Sequence, residues 1–65
     1  MKNVKVAKIL EILERDGWFQ VRCRGSHREF HHPTKKGTVT INGKPNGTIC
    51  GFVLKSIERQ SELNF

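Results

Sequence analysis

Apolar residues recur along this chain in two different rhythms. Over residues 3–16, Val6, Ile9, Leu10 and Leu13 fall at i, i+3, i+4 and i+7, while Lys5, Lys8, Glu11 and Arg15 lie largely outside that stripe. This is the spacing of one helix face, so an amphipathic helix is predicted over 3–16. Asn3 is its candidate N-cap, and Glu11 and Arg15 form an i,i+4 pair in the favourable order. Gly17 is suited to end it. From residue 18 to 24 the rhythm shortens to two: Phe19, Val21 and Cys23 alternate with Gln20, Arg22 and Arg24. That is strand spacing. Gly25-Ser26 follows, with glycine at the first central position as a type II′ hairpin turn requires, and residues 27–32 form the returning strand.

The register of this hairpin can be worked out from the turn. A two-residue loop places Arg24 opposite His27, Arg22 opposite Glu29, Val21 opposite Phe30 and Gln20 opposite His31. Paired residues share a face of the sheet. Val21 and Phe30 are then expected inward, and Arg22, Arg24, His27, Glu29 and His31 outward. Pro33 cannot donate to a ladder and ends the strand. Thr34-Lys35-Lys36-Gly37 reads as a turn. Thr38–Ile41 reads as a third strand with Val39 and Ile41 inward, and Asn42–Gly47 as a loop dense in breakers. From Thr48 to about Gln60, Ile49, Phe52, Val53 and Ile57 follow helical spacing, with Thr48 or Asn46 as N-cap. Gly51 weakens the first turn of that helix. Residues 61–65 are expected to fray, unless Leu63 or Phe65 folds back.

The order α-β-β-β-α gives an α+β fold, a single domain over residues 1–65. A three-stranded antiparallel sheet with two helices on one face would bury every apolar set in one core. This is the topology of double-stranded-RNA-binding domains. The other face of the sheet, carrying arginine and histidine, is left to solvent.

Length and charge narrow the function. Sixty-five residues give one thin core, with no room for a deep cavity holding a cofactor. None is expected. Twelve Lys and Arg against six Asp and Glu leave a net charge of +6. Such a field favours polyanions, either nucleic acid or an anionic membrane surface. No apolar run is long enough to span a membrane, and charged residues recur through 1–16 where a secretory signal would need an apolar stretch. A cytoplasmic protein without membrane attachment is expected. Cys23 and Cys50 are too few and too far apart for a paired-cysteine zinc site, and are read as two small buried thiols.

Among the histidines, His27 has the strongest case for chemistry. It stands beside the tight turn, flanked by Arg24, Ser26 and Arg28, in a chain whose expected substrate is a phosphodiester. Imidazole gives and takes protons near neutrality. In RNA the 2′-hydroxyl is a built-in nucleophile, so a base and nearby cations suffice without a metal. Arg24 and Arg28 are placed in sequence to supply those cations. His31 is read as structural or RNA-contacting, and His32 as strand-end packing or solvent-facing. His27 and His31 would be about 13 Å apart along a strand, too far to share one ion. Glu29 is most simply a surface partner of Arg22. Lys35, Lys36 and Lys44, in loops beside the sheet, are candidate phosphate contacts. Trp18 reads as a core or boundary aromatic.

Asp16-Gly17-Trp18, Val21-Arg22, Arg24-Gly25-Ser26-His27, His32-Pro33-Thr34-Lys35-Lys36-Gly37 and Val39-Thr40-Ile41 together resemble the HicA toxins. These are mRNA interferases of type II toxin–antitoxin systems. The likeness runs from residue 5 to about 58 and is densest over 16–41. It implies a double-stranded-RNA-binding-like fold and metal-independent cleavage of mRNA by the histidine of Gly-Ser-His, here His27. It also implies neutralisation by a HicB-type antitoxin that covers the active site. Arg28 stands where many members carry a second histidine. The RNA-contacting set expected here is Arg22, Arg24, Ser26, Arg28, Lys35, Lys36 and Lys44. The competing reading is a non-catalytic RNA-binding module of the same fold.

Overall fold

In the computed structural model, which describes residues 2–65, the chain opens on a short strand, β1 (Asn3–Lys5), rather than on helix. The helix α1 follows over Val6–Asp16. Val6, Ile9 and Leu13 are buried on it, as the spacing predicts. Asn3 is therefore not its N-cap. Lys5 holds that position without a side-chain cap. The first-turn donors are met by loop carbonyls instead: Val6 N–H donates to Gly47 O at 3.0 Å and Ala7 N–H to Pro45 O at 3.1 Å. A helix start needs partners for its N–H groups, and tertiary structure supplies them here. At the other end Gly17 caps α1, its N–H donating to Glu14 O while Trp18 N–H donates to Leu13 O. Glu11 and Arg15 pair at 3.6 Å on the exposed side, where such a pair contributes little.

The hairpin forms as β2 (Phe19–Arg24) and β3 (His27–His31), joined by Gly25-Ser26. Gly25 has φ +57 and Ser26 is not left-handed, the combination a type II′ turn needs. Near the turn the pairing is as expected: Arg24 opposite His27 and Arg22 opposite Glu29. Beyond it a bulge at Val21 shifts the register, so that Gln20 faces Phe30 and Phe19 faces His31. Val21 is therefore not the inward partner of Phe30, and Phe19 moves to the outer face. β2 is the edge of the sheet, where a bulge interrupts only one ladder. The third strand, β4 (Val39–Asn42), runs one residue further than expected and pairs with β3, Phe30 opposite Val39 and Arg28 opposite Ile41.

A last strand, β5 (Thr48–Cys50), pairs antiparallel with β1, placing Ile49 opposite Val4. The second helix, α2, therefore begins at Gly51 and runs to Ser61, with Cys50 rather than Thr48 or Asn46 at its N-cap. Three extended residues reset its phase. Leu54, Ile57 and Ser61 turn inward, while Phe52 and Val53 are exposed, against the expected stripe. The tail folds back: Leu63 and Phe65 pack on the core, and Phe65 N–H donates to the Glu58 carboxylate at 2.8 Å.

Val6, Ile9 and Leu13 of α1, Leu54 and Ile57 of α2, and Phe30, Val39 and Ile41 of the sheet meet in one core with Trp18, Val4 and Ile49. The architecture is thus the α+β arrangement expected, with a two-stranded ribbon added where Asn3–Lys5 meets Thr48–Cys50. α2 packs on β4 and β5, so β2 projects past it and every residue of β2 is exposed. Cys23 and Cys50 are both exposed free thiols, not buried ones.

Candidate active site and nucleic-acid interface

The open face of the sheet is built from cross-strand rows in the order β2-β3-β4. Nearest the turn lie Arg24, His27 and Asn42. The next row is Arg22, Glu29 and Thr40. The last begins with Phe19 and His31, and Thr38 Oγ1 closes it with a hydrogen-bond contact to His31 Nε2 at 3.2 Å. Adjacent rows are roughly 7 Å apart along the strands. His27 therefore stands at the centre of its row, exposed, between a guanidinium-bearing neighbour and an amide. Among the described residues its ring makes no hydrogen bond to the protein. Both ring nitrogens are open to a ligand.

The strand end around His27 is fixed by short contacts. Ser26 Oγ donates to Asn42 Oδ1 at 3.0 Å, and Gly43 N–H donates to Ser26 O at 3.3 Å. These tie the hairpin turn to the end of β4 and bring Lys44, exposed, beside it. Lys36 is also exposed, in the loop that joins β3 to β4 at the far end of the face. Neither lysine enters an ion pair among the described residues. Arg22, Arg24, Ser26, Lys36 and Lys44 thus surround His27 or extend its face.

The structure does not bring Arg28 and Lys35 to that face. Arg28 is paired with Cys23 and Ile41 on the helix side, and its Nη1 donates to Gly43 O at 2.9 Å. It braces the loop behind His27. Lys35 reaches under the sheet end, its ammonium 2.7 Å from Asp16 Oδ2 and 3.0 Å from Ser61 O. It joins the C-terminal ends of both helices. The Lys35 hydrogen bond, with its charge, holds the Asp16 carboxyl below its usual 3.8, against a weaker opposing effect of desolvation.

His32 is the centre of this second cluster. Its Nδ1 accepts from Thr34 N–H and Lys35 N–H, both at 3.1 Å. Nε2 must then carry the proton, and it donates to Asp16 O at 2.7 Å. The ring meets Trp18 edge-on at 5.2 Å between centroids. It also lies over Gly17, where an added Cβ would come within 3.0 Å of Nε2. The Trp18 indole N–H reaches no acceptor at hydrogen-bonding geometry, though it is close enough to Asp16 to favour the carboxylate. Among the described residues no three His, Cys, Asp or Glu side chains are grouped to hold a metal ion, and no helix is long and apolar enough to cross a membrane.

Asn42, which reads in the sequence as the start of a loop, ends β4 and completes the His27 row. The signal was present: matching Phe30 with Val39 by apolar character carries Asn42 opposite His27. Phe19 carried no such signal, because its outward position depends on the bulge.

Residues 6–63 match the family model described as HicA toxin of bacterial toxin-antitoxin. No curated protein matches the chain.

Proposed function

This chain belongs to the HicA toxin family, and on that premise we propose that it is an endoribonuclease that cleaves mRNA without a metal, with His27 as its general acid/base. The observation that carries the proposal is the Arg24–His27–Asn42 row. It presents one unoccupied imidazole on an open, cationic face, and a strand of RNA can lie across that face. His27 takes the proton of a 2′-hydroxyl. The 2′-oxygen attacks the adjacent phosphorus, and the bond from phosphorus to the 5′-oxygen breaks. The proton held by the imidazolium passes to that 5′-oxygen, leaving a 2′,3′-cyclic phosphate and a 5′-hydroxyl. Arg24 offsets the charge that builds on the non-bridging oxygens. Asn42, held by Ser26, offers an amide N–H₂ to the same region. Arg22, Lys36 and Lys44 bind flanking phosphates.

A toxin–antitoxin family implies an antitoxin partner. We take it to be HicB-type, lying over the His27 face and shielding it from RNA in the cytoplasm. The net charge of +6 suits an acidic surface on that partner. The test is cleavage of mRNA under chelation by the wild type and by His27→Ala. Loss of cleavage with retained RNA binding supports the mechanism. Equal cleavage by both proteins rejects it, and binding without cleavage by the wild type leaves a non-catalytic RNA-binding module.

A further inference from the structure

We propose that Phe19, with His31 beside it, is a stacking platform for an unpaired base of a single-stranded RNA bound along β2. The inference rests on the ribonuclease reading above and adds a base subsite to it. Uninterrupted alternation would put Phe19 on the same side as Cys23, facing the helices. The bulge at Val21 reverses that and sets Phe19 opposite His31 on the open face. Bulges beside active sites commonly re-aim a side chain in this way. Phe19 is left 50% exposed. Single exposed apolar residues are ordinary, and exposure alone decides nothing. What distinguishes Phe19 is its neighbours. The other residues of the three rows are polar or charged, and Arg24 and Arg22 precede the ring on its own face of β2.

Cations followed by a flat ring match the alternation of phosphate and base along an RNA strand. Stacking of bases on aromatic rings is the common device of proteins that hold single strands. A duplex would keep its bases stacked on one another and could not use the ring. Thr38 holds the His31 imidazole in the same row, so two flat groups stand side by side. His31 is about 13 Å from His27 along the strand. The stacked base therefore flanks the cleaved step rather than forming part of it, and Phe19 is a binding residue, not a catalytic one.

The experiment measures binding of fully 2′-O-methylated single-stranded RNA, which lacks the nucleophile and cannot be cut. A second oligonucleotide of the same length carries abasic sites throughout. For the wild type, removal of the bases should weaken binding by roughly five- to hundredfold, the range for loss of one stacked base. Phe19→Ala should bind the intact RNA as weakly as the wild type binds the abasic one, and should be indifferent to the bases. Phe19→Trp should restore discrimination and Phe19→Leu should not, with thermal melts showing that each variant is folded. Salt dependence should be the same in all four proteins, because no phosphate contact is removed. Salt-dependent binding by the wild type that ignores the bases overturns the platform while leaving the ribonuclease reading intact. So does full RNA binding by Phe19→Ala together with weakened antitoxin binding. Absence of any wild-type binding overturns both.

Discussion

His27 and His32 come from one short stretch of chain, and the fold treats them in opposite ways. The ring of His32 is engaged at both nitrogens and packed against Trp18 and Gly17. The ring of His27 projects from the middle strand into solvent with neither nitrogen engaged. A histidine whose donor and acceptor are both spent inside the protein has no proton to exchange with a substrate. One whose nitrogens are both free can present them to a ligand. The difference arises from where β3 ends: His31 is its last residue, so His32 swings out of the ladder and under the sheet end, where it fastens the turn after Pro33 to the end of α1.

The two regions should therefore fail separately when each is broken. The largest stability effect belongs to His32→Ala, which leaves Asp16 O and the N–H groups of Thr34 and Lys35 without partners and opens space beside Trp18. A loss on the order of 3 kcal/mol is expected from these combined causes. At about 4–8 °C per kcal/mol for a domain of this size, Tm should fall by more than about 10 °C. Cleavage at low temperature should survive in the fraction that remains folded. If His32→Ala melts like the wild type, the contrast between the two histidines is wrong.

Arg24→Gln should act on the other side of the contrast. Cleavage should slow on the order of tenfold, less than the roughly hundred- to thousandfold for a donor in a water-excluded site, because this face is open to water. Its Tm should stay within about 2–4 °C of wild type, as expected for an exposed side chain. A variant that melts early without slowing would assign Arg24 to the scaffold.

The smallest effect is in the response to acid. The folded-state carboxyl of Asp16 is depressed by Lys35, so its contribution to stability is present above the usual 3.8 and is lost as pH falls through the folded value. Melts taken from pH 5 downward should show a decline in Tm below about pH 4 that is smaller in Asp16→Asn. An identical decline in both would place the acid sensitivity elsewhere.

The parts legible in the sequence were those set by neighbours in the chain. Turn chemistry fixed Arg24 against His27, and helical spacing placed Val6, Ile9 and Leu13 in the core. The parts that were not legible depend on distant contacts. Asn3–Lys5 and Thr48–Cys50 are each too short to show a period, and they become strands only by meeting each other. That pairing delays α2 to Gly51 and sends Phe52 and Val53 outward, although their spacing alone suits a core stripe. The Val21 bulge leaves the alternation of β2 unbroken in the text, so Phe19 reads as inward. Lys35 and Lys36 are indistinguishable as letters. Only the folded chain shows that one is held by Asp16 and Ser61 while the other is free of such ties.

The role proposed for His27 is to supply chemistry and no stability. It is tested most directly by taking His27→Ala and wild type from parallel preparations, recording the thermal melt of each, and then measuring RNA cleavage in the presence of chelator. Expected are superimposable melts, cleavage by the wild type to 2′,3′-cyclic phosphate ends, and a rate for His27→Ala lower by about 10²- to 10⁴-fold, the usual contribution of a general acid/base. Undiminished cleavage by the variant, or a melt displaced as far as that expected of His32→Ala, would contradict it.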